Sequence, residues 1–191
     1  MTDYANPAFA SFIDDLRVHF ARGLPEQEHW EGVRDRLKTL CADNSMREIS
    51  HGWEARKGRE YILHHDPHHD FFVGALVRQP NHIAGVHDHG PTWTIYGVLD
   101  GQEITHVYDR LDDGGKPGYA EIKLSHKYDA PTGHVDMVPP HIPHAEWGNS
   151  ERSVAITVRT TKPGSYDQVR FDPDTGRTGI SRGLELVKLA V

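Results

Sequence analysis

From Arg59 to Arg159 the chain is cut into short apolar or alternating runs, each closed by glycine, proline or aspartate. The runs cover residues 61–63, 71–77, 92–99, 102–108, 120–124, 135–138 and 153–159. Their lengths and their β-branched and aromatic content are those of strands. Parallel strands need crossovers of about a dozen residues or more, usually helical, and the gaps here carry no helical pattern. A βαβ sheet is therefore excluded, and an all-β antiparallel barrel or jelly roll is expected. Asp100-Gly101, between two alternating runs, predicts a two-residue hairpin, and residues 112–118 a longer solvated loop.

Ahead of the strands the period is helical. Asn6 stands in capping position before Pro7, and Phe9, Phe12, Ile13, Leu16 and Phe20 recur at helical spacing until Gly23. After Pro25, Trp30, Val33, Leu37, Leu40 and Cys41 share one helical face, with Gly32 as a weak point. The 191 residues suffice for one sizeable core and hardly for two. Residues 1–45 thus read as an N-terminal α-helical pair packed on a barrel of residues 46–191. The stretch after Lys162, broken by Pro163, Gly164, Pro173 and Gly176, reads as an irregular tail covering that barrel.

Lys and Arg number 21 against 28 Asp and Glu, a net charge of −7 that repels phosphate backbones and anionic lipid. Neither a nucleic acid nor a membrane is an expected partner, since the longest apolar stretch, residues 71–77, is broken by Gly74 and falls far short of the ~20 residues of a membrane span. No basic and apolar leader opens the chain, and Cys41, the one cysteine, has no disulfide partner, which fits a cytoplasmic protein. A homo-oligomer is left open.

Of the 15 histidines, 12 fall between His64 and His144. In Gly85-Val86-His87-Asp88-His89-Gly90 two stand at i and i+2, a spacing that on a strand sends both imidazoles to one face and Asp88 to the other. His144 follows the proline turn Val138-Pro139-Pro140-His141-Ile142-Pro143, which can deliver it from a neighbouring strand. Two imidazoles from one strand and a third from across the barrel make a facial site with open positions, suited to Fe(II), Zn, Ni, Cu or Mn. Three neutral ligands would leave the ion its full +2 charge, which invites an anionic substrate atom.

These two segments resemble the paired motifs of the cupin superfamily, G…HxH and P-x-G-x-x-H…N, with Pro139, His144 and Asn149 in register and His141 where glycine is usual. The resemblance implies a double-stranded β-helix. Within that superfamily the chain looks most like the cysteine dioxygenase family of thiol dioxygenases, over two N-terminal helices, HDHGPTWTIYGVLDG and GHVDMVPPHIPH. That likeness implies Fe(II) held by His87, His89 and His144, a small thiol bound through sulfur, and insertion of both atoms of O2 to give a sulfinate. The chain departs from the pattern elsewhere. A glutamate ligand common among cupins would fall at Trp93 or Thr94, and Thr94 also replaces a cysteine that some members crosslink to tyrosine. Thr157, Arg159 and Thr161 stand in place of a Ser-x-His-x-Tyr triad, and the arginine that grips the substrate carboxylate is missing near Leu63 and His64.

The remaining substrate-binding candidates are Arg159, which shares a strand face with Ala155 and Thr157; Arg78, closing the run before Gln79-Pro80; and Thr94 with Tyr96, two apart on one face. If residues 153–159 lie beside the strand bearing His144, Arg159 reaches the metal's open side and can fork a carboxylate. A solvated strand-end arginine is the plain alternative for both cations. His64, His65, His68 and His69 flank Asp66-Pro67 and read as a solvated turn. Trp93, Tyr96 and Trp147 read as packing residues and Cys41 as helix core. The function expected is a mononuclear non-haem Fe(II) dioxygenase using O2 and a small-molecule anion. Its rivals are a Zn, Ni or Mn lyase, isomerase or hydrolase, and a non-catalytic metal- or ligand-binding protein.

Overall fold

The computed structural model describes residues 4–191. Asn6 caps α1 (Pro7–Phe20) by accepting the Phe9 N–H at 2.9 Å, and Pro7 occupies the first turn, where its missing N–H costs nothing. Helix α2 (Glu26–Cys41) buries Trp30, Val33, Leu37, Leu40 and Cys41, the face that the spacing predicts. Gly32 turns out to be a packing device: a Cβ there would stand 2.1 Å from Cε1 of the buried His19 on α1. A third helix, α3 (Asn44–Ser50), capped by the Asp43 side chain, carries the helical segment past residue 45. Its seven residues are too few to show a period.

Among the described residues twelve strands follow: β1 (Arg59–His65), β2 (Phe72–Arg78), β3 (Val86–His87), β4 (Thr94–Asp100), β5 (Gln102–Arg110), β6 (Ile122–Pro131), β7 (Val135–Val138), β8 (His144–Gly148), β9 (Ser153–Arg159), β10 (Gln168–Phe171), β11 (Thr178–Ser181) and β12 (Glu185–Lys188). One sheet has the order β12-β1-β2-β9-β4-β7 and the other β11-β10-β3-β8-β5-β6. The result is a jelly roll with the helices packed outside the first sheet.

Strand β9 shows how the sequence divides the two faces of that sheet. Val154, Ile156 and Val158 join the core shared with the helices, whereas Ser153, Thr157 and Arg159 reach polar partners inside the barrel. On β4, Gly97 lets α2 seat closely, since a Cβ would meet Cys41 Sγ at 2.8 Å. Burial pushes the Cys41 thiol up to about 12, so it behaves as an inert part of that core.

Several expectations need correction. Asp100-Gly101 is no hairpin, because β4 and β5 lie in different sheets and the pair turns the corner between them. Gly101 has φ +80, and a Cβ would come 2.4 Å from the Arg152 carbonyl oxygen. The segment after Lys162 is not irregular: β10 pairs with β3, and β12 pairs in parallel with β1. Strands of four residues between glycines and prolines leave too weak a pattern to read. Strand β9 does not lie beside β8 but between β2 and β4, in the opposite sheet. The turn after β1 is not simply solvated either, since His64 and Asp66 are buried and Asp66 accepts the amides of His68 and His69. Among the described residues no helix is long and apolar enough to cross a membrane.

Candidate metal centre

His87 on β3 lies directly opposite His144 on β8 in the antiparallel register. Such paired residues project from the same face, with Cβ atoms ~5 Å apart. The adjacent strand therefore delivers the third histidine, as the proline turn suggests, so the group is more compact than one spanning the barrel. His89 follows β3 by two residues and completes the group, with ring centroids 4.7 Å (His87–His144), 4.5 Å (His89–His144) and 5.3 Å (His87–His89) apart. The proline turn is fastened to this motif by the His141 N–H, which donates to Gly90 O at 3.0 Å. His141 itself has φ +61, the left-handed conformation that glycine adopts without strain. That explains why a glycine pattern fits the position, and shows that the turn keeps its shape without one.

A fourth donor joins the three. Glu146 lies two residues after His144 on β8, and one ligand atom from each of His87, His89, His144 and Glu146 falls within 4.8 Å of the others. The candidate donor set is thus three imidazoles and one carboxylate, and the carboxylate would offset part of an ion's +2 charge. The strand alternation that pairs His87 with His89 would also have found Glu146.

The local hydrogen bonds suit ligation. Nδ1 of His87 faces Gly85 O at 3.1 Å and Nδ1 of His144 faces Ile142 O at 2.7 Å, so each donates from Nδ1 and keeps its Nε2 lone pair free. His144 Nε2 and His89 Nδ1 are buried without a hydrogen bond, although Glu146 Oε1 lies 3.2 Å from the former. Burial, with the neighbouring His144, pushes His87 down to about 4, and burial with the charges of His144 and Arg159 holds His89 well below the usual imidazole range. Burial acts the same way on His144, but the Glu146 carboxylate outweighs it and raises this imidazole. Glu146 stays ionised, because His144, His87 and Arg78 together overcome its desolvation.

Around the centre the barrel interior is charged and almost fully paired. Glu103 receives Arg78 Nη1 at 3.1 and 3.2 Å, the Tyr96 hydroxyl at 2.7 Å and the Ser153 hydroxyl at 2.7 Å. Arg78 also donates to the Tyr96 oxygen, and its Nη2 lies 3.6 Å from Glu146. Glu60 receives Arg159 Nη1 at 2.6 Å and the Thr157 hydroxyl at 2.9 Å, while Arg159 Nε donates to Thr94 at 3.1 Å. The substrate candidates Arg159, Arg78, Thr94, Tyr96 and Thr157 thus all lie on the inner face, but in two networks built on carboxylates that sequence reasoning missed. The two buried arginines there pair with Glu103 and Glu60, and Glu146, beside His144, adds a carboxylate to the imidazoles. This donor set fits a metal ion.

Two cavities meet at this centre, sharing Tyr96 and Glu146 as common wall. The larger, about 570 Å³, reaches His87, His89, Arg78 and Arg159; the smaller, about 200 Å³, reaches His144, Tyr128 and Asp136. At the rim of the larger one Arg170 on β10 is paired in register with His87 and is exposed. Among the described residues no carboxylate engages its side chain. It lies in the segment whose strands the sequence hides.

No family model matches the chain, and no curated protein does. Part of it superposes on a structure of oxalate oxidase, with TM-score 0.38 and 14% identity over 48% of this chain and 42% of that one. The cupin domain of Schizosaccharomyces pombe Cnp3 gives 0.41 and 12% over 53% and 59%, and a protein from Thermus thermophilus 0.44 and 12% over 60% and 95%. The chain spans less than half the length of the first of these, and all three likenesses are partial. The strand order and the site define the class: a two-sheet jelly-roll barrel, with N-terminal helices and a candidate metal site of three histidines and one glutamate.

Proposed function

We propose that the barrel is a mononuclear metal enzyme and, with Fe(II) at His87, His89, His144 and Glu146, a dioxygenase of the thiol dioxygenase type acting on an organic anion. The observation that carries this reading is the buried donor set itself: two imidazoles held neutral by burial and a third beside an ionised glutamate. Bound iron supplies redox chemistry toward O2 and positive charge toward an anionic donor atom. The protein groups do the rest. Arg78, with Tyr96 and Glu103 behind it, holds Glu146 in place. The pair Arg159–Glu60 closes the wall beside Thr94. Arg170, a cation without a carboxylate of its own beside His87, is placed to orient the substrate's charge.

One observation favours a second reading. Glu146 borders both cavities and contacts His144 at 3.2 Å, so with Zn, Ni or Mn acting as a Lewis acid it can serve as the proton acceptor of a lyase, isomerase or hydrolase. Metal analysis of the purified protein, combined with oxygen uptake on a panel of thiols and their oxygen analogues, separates the two. Iron with substrate-dependent oxygen uptake supports the first reading, and turnover without oxygen supports the second. Ala at His87, His89 or His144 should empty the site. Glu146→Gln should weaken metal binding by at least the roughly 10- to 100-fold that loss of a ligand's supporting partner costs. Full metal retention in His144→Ala would refute the assignment.

A further inference from the structure

The three histidines are not held alike. His87 has cross-strand partners on both sides and donates from Nδ1 to Gly85 O; His144 also stands in a strand and donates to Ile142 O. His89 lies beyond the end of β3, and among the described residues its buried Nδ1 makes no hydrogen bond. Its carbonyl accepts the Thr92 N–H at a long 3.4 Å. A metal-binding imidazole usually gives its other nitrogen to an acceptor that orients the ring. His89 lacks that support, but the residues on either side of it are tightly held. Strand alternation turns Asp88 away from the imidazoles. It is 2% exposed and takes two amides on one oxygen, Gly90 N–H at 3.0 Å and Val169 N–H at 2.8 Å. Its own N–H donates to Val169 O at 3.0 Å. Gly90, at φ +56, accepts the His141 N–H at 3.0 Å, and a Cβ on it would stand 2.4 Å from Asp167 O. Asp88 and Gly90 thus join the three stretches of chain that carry His89, His144 and Arg170.

We infer that Asp88 is a positioning residue of the site: by pinning Gly90 and Val169 it sets the direction of the His89 ring, in place of the ring hydrogen bond that His87 and His144 possess. The inference rests on the reading of the centre as a metal site and adds what keeps its third imidazole in place. The effect lies in hydrogen bonding, not in charge. Both amides go to Oδ1, while Oδ2 has only the exposed His141 ring, 3.9 Å away, among the described residues. An asparagine can offer its carbonyl oxygen to both amides and turn its NH2 to the other side. An alanine offers neither.

The test loads the parent protein, Asp88→Ala and Asp88→Asn with Co(II). Proton NMR reads the paramagnetically shifted imidazole resonances, and competition with a chelator gives the Co(II) affinity. The parent should show the rings of three histidines. Asp88→Ala should lose or broaden the His89 ring alone and bind Co(II) about 10- to 100-fold more weakly, as metal sites do when an orienting partner is removed. Asp88→Asn should keep all three rings and an affinity close to the parent's. A general loosening of the fold would disturb all three rings together, and an effect of charge would weaken Asp88→Asn as much as Asp88→Ala. Either result would overturn the inference, as would three unchanged rings in Asp88→Ala. Should the alanine protein not fold, Asp88→Ser, whose hydroxyl can take the Gly90 amide but is too short for both, should show the same selective loss of His89 to a smaller degree; three unchanged rings there count equally against it. A parent protein that takes up no Co(II) would sink the metal-site reading itself, and the inference with it.

Discussion

Replacing Gly32 by alanine sets helix propensity against packing, and the structure says which should win. In an exposed helix the change stabilises by ~0.5–1 kcal/mol, because glycine has more backbone freedom to lose on folding. Here the new methyl would lie 2.1 Å from Cε1 and 2.7 Å from Nε2 of His19. That ring is 1% exposed, stacks on His29 at a centroid distance of 5.0 Å and bonds the His29 carbonyl at 2.8 Å. It cannot swing aside into solvent. Overpacking of this kind costs ~1–3 kcal/mol, and a buried group deprived of its hydrogen bond costs a further ~1–3 kcal/mol. The net loss is then about 1–5 kcal/mol, and Tm should fall by ~2–4 °C for each kcal/mol in a chain of this length. Urea unfolding of the single variant gives the size of the effect, and a double-mutant cycle gives its cause. In a His19→Ala background the methyl has room, so Gly32→Ala should there become stabilising by ~0.5–1 kcal/mol. A Gly32→Ala protein as stable as its parent, or the same sign in both backgrounds, would refute the argument.

Two further predictions concern buried charge. Arg159→Met strands the Glu60 carboxylate inside the barrel and should destabilise by ~3–5 kcal/mol in chemical denaturation, with much of the loss recovered in Arg159→Met/Glu60→Gln; unchanged stability of the single variant would contradict the pairing. Asp66 should carry pH dependence. Burial alone would raise its pKa, but Arg17 at 2.7 Å and the amides of His69 and His68 outweigh that and hold it well below the usual carboxylate range. Its folded pKa is therefore the lower one, and its stabilisation is complete above the unfolded value near ~3.9 and disappears as pH falls toward the folded value. The gap in urea midpoint between the parent and Asp66→Asn should be constant at neutral pH and close on acidification below about pH 4; a constant gap down to acid pH would exclude Asp66 as the source.

The fold was legible wherever a period extended over several turns or residues. Both long helices, the Asn6 cap of α1 and strands β1, β2, β4, β7 and β9 of the first sheet follow from spacing, because one face of each is packed on a core and the other is not. What escaped is short or shared. Helix α3 and strands β10 to β12 are stabilised by neighbours, not by any pattern of their own. Asp100-Gly101 has the chemistry of a turn, but nothing local says whether the strands it joins pair with each other or with different sheets. At the site, the histidine spacings pointed to the cluster, whereas Glu60 and Glu103 take their importance from Arg159 and Arg78 on other strands. The Arg78–Glu103 pairing exists only once the sheets face each other, and the Arg159–Glu60 pairing only once β1 and β9 flank β2 in one sheet.

Strand β3 is two residues long, and its partners come from far along the chain: His87 faces His144 on one side and Arg170 on the other. The candidate ligands therefore converge only after the long connection from β3 to β8 has closed, and loop closures of that length are paid for late in folding. Contacts absent from the folding transition state leave the folding rate almost untouched and act on the reverse step. An ion at this centre would accordingly behave as a latch, not as a template. Its presence should lengthen the lifetime of the folded chain, while chelation should let the second sheet open sooner without slowing its return.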